Sequence, residues 1–186
     1  DRLYKLLKSD CFEPMKRNIL IFEGQLFNKG SQAMVFTVVN EMKKRFPDKD
    51  IYLISRMDSR RSKEEKEQYN FKIFTSRSYN LTFRNMFKIK TPWKDKIDRE
   101  FEEIVERADL AVDISGYKLS SQFPIDKTKF YLANIALCKK YGIPMYILPQ
   151  SLGPFNYRLR DKIKYYPLLF HYIKYPRIIW ARGKEG

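Results

Sequence analysis

The chain has 186 residues, of which 37 are Lys or Arg and 22 are Asp or Glu, for a formal net charge of +15. That length suits one domain, and 44% hydrophobic residues with 16% aromatics can fill a buried core, which excludes a disordered chain. No apolar run reaches the ~20 residues of a membrane helix, the charged opening segment does not read as a signal peptide, and Cys11 and Cys138 make neither a disulfide framework nor a zinc site; a soluble protein of a reducing compartment is expected.

Asn18–Phe22 (Asn-Ile-Leu-Ile-Phe) reads as a buried strand. After a loop over 23–30, the spacing of Val35, Phe36, Val39, Met42 and Phe46 predicts a helix with Ser31 as its N-cap, ended by Pro47. Ile51–Ile54 is the next strand, which makes this opening a βαβ unit. A short charged helix is expected over 62–69 and a third strand over 71–74. Residues 94–107 predict an amphipathic helix with Ile97, Phe101, Ile104 and Val105 on one face. Leu110–Ile114 reads as a buried strand, 127–141 as a helix closed by Gly142, and 145–148 and 178–181 as the last strands. This alternation predicts an α/β fold: a Rossmann-like, mostly parallel sheet with helices on both faces, over 1–186 as a single domain.

A pI near 9.7 suits nucleic acid, an anionic membrane surface or a small anionic substrate. The densest basic stretch runs from Arg77 to Lys96, with Tyr79, Phe83, Phe87 and Trp93 interleaved. Such a stretch can stack on bases or lie on headgroups; it reads equally as a solvated excursion with its aromatics turned inward.

Open α/β sheets bind ligands outside the carboxyl ends of their strands, and three polar loops fall there. In Asn28-Lys-Gly-Ser-Gln-Ala-Met34, Gly30 frees the backbone, Lys29 adds charge, and the helix that follows offers N–H groups to an anion. The P-loop spacing is absent, and a tight capped turn is the alternative. In Asp113-Ile-Ser-Gly-Tyr117, an acid inside an apolar strand suggests a general base or an acceptor for a substrate hydroxyl; otherwise it holds backbone N–H groups of a neighbouring loop. In Pro149-Gln-Ser-Leu-Gly-Pro-Phe155, prolines and a glycine stiffen a loop just past a strand, and Gln150 offers the donor and acceptor that sugar recognition needs. Arg182 is placed to meet a phosphate or carboxylate, or a neighbouring acid. His171, the one histidine, lies among aromatics on a helical stretch and supports no triad, and no metal-ligand spacing is found.

Taken in order, Asn28–Met34, Ala108–Tyr117, Pro144–Phe155 and Ile179–Arg182 resemble the polysaccharide pyruvyl transferase family over nearly the whole chain. The resemblance implies the amino-terminal half of a two-domain enzyme of the GT-B type, with a carboxyl-terminal domain to follow. It implies transfer of a pyruvyl group from phosphoenolpyruvate, as donor substrate and without a further cofactor, to sugar hydroxyls of a surface polysaccharide or its lipid-linked precursor. Asn28, Lys29, Gly30 and Ser31 then belong to the first substrate loop. Asp113, in a catalytic role, with Ser115, Gly116 and Tyr117 forms the second, and Gln150, Ser151 and Gly153 form the third. These residues are expected on the acceptor side with Arg182 nearby, and the donor mainly against the other half. A cytoplasmic enzyme in peripheral contact with an anionic membrane, with no nucleic acid, is the implied setting. After Arg182 the chain departs from the family pattern, with Gly183-Lys-Glu-Gly186 in place of a polar or acidic residue followed by Ser. The competing readings are a glycosyltransferase of the same architecture using a nucleotide sugar, and a nucleic-acid-binding module built on 77–96.

Overall fold

The computed structural model describes residues 17–75 and 99–183. The basic-aromatic stretch 77–96, Cys11 and the first residues of the helix expected over 94–107 lie outside them. The described elements run β1 (Asn18–Phe22), α1 (Lys29–Arg45), β2 (Asp50–Ile54), α2 (Lys63–Glu67), β3 (Lys72–Phe74), α3 (Arg99–Glu106), β4 (Ala108–Asp113), α4 (Ile125–Tyr141), β5 (Met145–Gln150), α5 (Leu159–Tyr172) and β6 (Ile178–Ala181). A single turn of 3-10 helix, Asp58–Arg60, stands between β2 and α2.

The six strands form one sheet in the order β3-β2-β1-β4-β5-β6, and every pairing is parallel. This is the doubly wound, Rossmann-like order, reversing direction between β1 and β4. Both faces are covered. Ile19 and Ile21 of β1 pack with Val112 and Ile114 against Val35, Val38 and Val39 of α1. Leu20 and Phe22 pack on the other face with Phe101 and Ile104 of α3 and with Tyr131, Leu132 and Ile135 of α4. Strands buried on both sides need apolar side chains at every position, which explains the unbroken run in β1. Asn18 opens that strand fully covered, its amide donating to Ile104 O at 2.8 Å. No helix among the described residues is long and apolar enough to cross a membrane.

Three local expectations are corrected. Helix α1 begins at Lys29 and its N-cap is Asn28, not Ser31, because Asn28 Oδ1 accepts from Gly30 N at 2.9 Å and Ser31 N at 3.3 Å. Strand β5 runs on through Pro149 to Gln150, so Gln150 lies inside the sheet rather than in the loop after it. Proline donates no ladder bond, and the register with β6 shifts between Ile147 and Gln150. Helix α4 starts two residues earlier than its apolar pattern indicates, at Ile125. Gly142 closes it in the left-handed conformation, φ +65°.

Candidate functional site at the switch point

Because β1 and β4 send their connections to opposite faces, a crevice opens where their carboxyl ends lie side by side. It encloses about 480 Å³. The β1–α1 loop forms one wall. Gly24 is required there, since a Cβ would stand 2.5 Å from Val35 Cγ2 and 2.9 Å from Ile114 Cδ1. Ser31 Oγ accepts from Gln25 N at 2.8 Å and closes the loop on itself. Asn28 already takes two of the N–H groups at the start of α1, so the helix terminus is not left open to an anion as the sequence suggested.

The second wall is the loop after β4. Asp113, fully buried, accepts from Ser115 N at 2.8 Å and from Gln150 Nε2 at 3.1 Å, both on Oδ1. Gln150 Nε2 also donates to Ser115 Oγ at 2.8 Å. Burial pushes the Asp113 carboxyl above its usual range, while Ser115, Asn134 and Gln150 pull it the other way. Among the described residues its second oxygen, Oδ2, has no hydrogen-bond partner, nor do the equally buried Gln150 Oε1, Asn134 Oδ1 and Tyr131 OH. Such orphans are uncommon in folded chains and concentrate here behind the crevice.

The loops after β4 and β5 are joined by backbone. Ser151 N donates to Gly116 O at 2.9 Å and Gly153 N to Leu119 O at 2.9 Å, and Arg182 N reaches Gln150 O at 2.8 Å. Gly116 adopts φ +68°, and a Cβ there would stand 3.5 Å from Arg182 Nη2 and 3.9 Å from Met34 Cε. The Arg182 guanidinium thus lies at the rim, over Gly116 and beside Met34.

Of the residues picked from sequence, Asn28, Gly30, Ser31, Ser115 and Tyr117 line the crevice. Asp113 and Gln150 sit behind Ser115 with no exposed surface. Gly116 and Arg182 form the rim, Ser151 and Gly153 brace it, and Lys29 projects into solvent from the first turn of α1.

Sequence reasoning missed a charged group of the same crevice. Glu23, directly after β1, has φ +69°, a conformation seldom held by a side chain with a Cβ. Its carboxylate pairs with Lys118 and accepts from Asn134 Nδ2 at 3.3 Å. Both partners of the ion pair are largely buried, with side-chain exposures of 16% for Lys118 and 14% for Glu23. Burial and the neighbouring Lys127 ammonium push Lys118 down to about 7. The available signal was position: a charged residue at the carboxyl end of a buried central strand, and an asparagine inside the apolar run of α4. No cluster of three or more His, Cys, Asp or Glu able to hold a metal occurs among the described residues.

Comparison with protein-family models, with curated proteins and with solved structures finds no match to this chain.

Proposed function

We propose that this chain is the acceptor-binding half of a pyruvyl transferase, which moves the pyruvyl group of phosphoenolpyruvate onto two hydroxyls of a sugar as a ketal. One observation supports the reading: two of the loops that resemble the family line a single crevice at the switch point, and the third is hydrogen-bonded to the back of the second. In the reaction, protonation of the enol methylene carbon creates an oxocarbenium-like centre. A sugar hydroxyl adds and loses its proton, inorganic phosphate leaves, and a second hydroxyl closes the ketal with loss of another proton. Hydroxyl protons therefore need acceptors. The Glu23–Lys118 pair is assigned that role, because both line the crevice and burial pushes the lysine toward its neutral form, so that the pair can take up a proton. Asp113 does not reach it; being fully buried, it acts as a positioning residue that holds Ser115 and Gln150. The second, carboxyl-terminal domain of the GT-B type would carry most of the donor site. A net charge of +15 suits a trianionic donor and a peripheral position on the anionic cytoplasmic face of a membrane.

The test is transfer of labelled pyruvate from phosphoenolpyruvate to sugar and lipid-linked acceptors by the natural-length protein, scored as acid-labile label in the acceptor. Transfer that is lost in Lys118→Gln supports the reading. Heat protection by a nucleotide sugar together with no transfer from phosphoenolpyruvate would replace it with a nucleotide-sugar glycosyltransferase.

A further inference from the structure

The crevice is unbalanced toward donors and positive charge. Its one lining carboxylate, Glu23, is occupied by Lys118 and Asn134. Lys127 lines the same crevice, close enough to lower the Lys118 ammonium, and has no carboxylate partner among the described residues. The Arg182 guanidinium at the rim donates to the sulfur of Met34, at 3.9 Å, and has no anionic partner among the described residues. Ser31 Oγ spends an acceptor site on Gln25 N, which leaves its hydroxyl proton free to donate. Tyr117 OH donates its proton to Gln122 Oε1 at 2.6 Å.

A second basic groove provides the contrast. It lies beside β2 and β3, about 490 Å³ in size, and is lined by Lys43, Lys49, Lys63, Lys66 and Lys72. Lys49, Lys63 and Lys72 are already paired, with Asp109, Glu67 and Asp50. Its charge is mostly answered within the protein. At the switch point it is not.

We propose that the switch-point crevice is an oxyanion site, in which Lys127, Arg182 and the Ser31 hydroxyl hold a phosphate or carboxylate group of the incoming ligand while the Glu23–Lys118 pair forms its inner wall. This deepens the transferase reading by naming the ligand as anionic at this half, and rests on that reading only for the identity of the ligand. The oxyanion has two possible sources, the donor and an acceptor sugar that carries its own charge. A neutral sugar takes hydrogen bonds from such cations but leaves their charge unanswered, whereas an oxyanion takes charge-assisted bonds from both and neutralises them.

Titration calorimetry with three probes separates the sources: inorganic phosphate, phosphoenolpyruvate and a glycosyl phosphate. Saturable binding of at least one probe is expected, weakened 10-fold or more in Lys127→Gln and several-fold in Arg182→Gln. Both residues are exposed, so these variants keep the fold, which thermal melts check. Lys66→Gln, in the other groove, should bind as the parent does. Tightest binding of the glycosyl phosphate marks an anionic acceptor; tightest binding of phosphoenolpyruvate marks the donor. The proposal falls if no probe saturates, or if Lys66→Gln weakens binding and Lys127→Gln does not. Pyruvyl transfer unaffected by Lys127→Gln and Arg182→Gln would sink the oxyanion site and leave the transferase reading standing. Probe binding in a protein that transfers nothing would do the reverse.

Discussion

Two aspartates at the carboxyl-end side of the sheet, Asp58 in the turn after β2 and Asp113 at the end of β4, are both fully buried, yet they are provided for very differently. Asp58 is satisfied at both oxygens. Oδ2 accepts from Leu26 N at 3.1 Å and Ser55 Oγ at 2.7 Å, and Oδ1 accepts from Arg61 Nε at 3.0 Å. Arg61 in turn lies over the Phe27 ring, 4.2 Å from its centroid, which ties the β1–α1 loop to the turn after β2. Among the described residues Asp113 has neutral hydrogen-bond partners on one oxygen and none on the other. A buried carboxylate with a cation and a full set of donors is a structural tie. One left half-satisfied beside a crevice is held there by neighbours that pack around it, at a cost that a purely structural role does not explain.

The largest effect is expected from breaking the satisfied member. Asp58→Ala leaves Arg61 without its carboxylate and Leu26 N without an acceptor, and should lower unfolding free energy by about 3 kcal/mol or more. Urea denaturation reads this directly. A loss below about 1 kcal/mol would mean that Asp58 is no tie and that the comparison has no structural pole.

An isosteric change at the unsatisfied member should not destabilise in this way. Asp113→Asn keeps the shape and removes the buried charge, so stability near neutrality should change by less than about 1 kcal/mol or rise. The sign with pH follows from the raised carboxyl of the folded state. Relative to the unfolded chain, whose carboxyl titrates near 3.8, the folded wild type favours the protonated form. That advantage is complete below the unfolded value and is lost as pH rises through the folded one. The Asn variant should therefore gain on the wild type across a pH series of unfolding curves starting near pH 4, then level off. In the transfer assay, an amide oxygen accepts more weakly than a carboxylate from Ser115 N and Gln150 Nε2, so turnover should fall even though the fold survives. A variant of parental activity would reduce Asp113 to packing.

How much of this was legible in the sequence follows from the same contrast. The six strands could be read in order because a parallel sheet covered on both faces demands continuous apolar runs, and Asp113 stood out by interrupting one. Asp58, Glu23 and Lys118 did not stand out, because a charge in a connecting segment reads as solvated until its partner is known. Glu23 finds Asn134 across 111 residues, a pairing that no local pattern encodes. The helix cap was misplaced for a different reason. Asn and Ser are comparably good caps, and the choice fell to Asn28 only once Gln32 N was seen to donate to Asn28 O at 2.8 Å. Gln150 was misplaced because Pro149 reads as a strand end, whereas a register shift accommodates it inside β5.

The smallest expected effect on stability gives the sharpest test of the charge argument. Asn28→Asp keeps an oxygen in position to accept from Gly30 N and Ser31 N, so the cap survives. A carboxylate at the start of α1 also complements the helix dipole, worth roughly 0.3–1 kcal/mol. Thermal melts should accordingly show a variant as stable as the parent or slightly more so. The same substitution puts a negative charge on the wall of the crevice that holds Lys127 and lies under Arg182. If those two cations await an oxyanion, a carboxylate beside them supplies part of that charge from within and repels what is left, and phosphate binding should weaken several-fold while the fold is unchanged. If Asn28→Asp binds phosphate like the parent, the crevice does not recognise charge, and the unpaired cations around it are merely solvated.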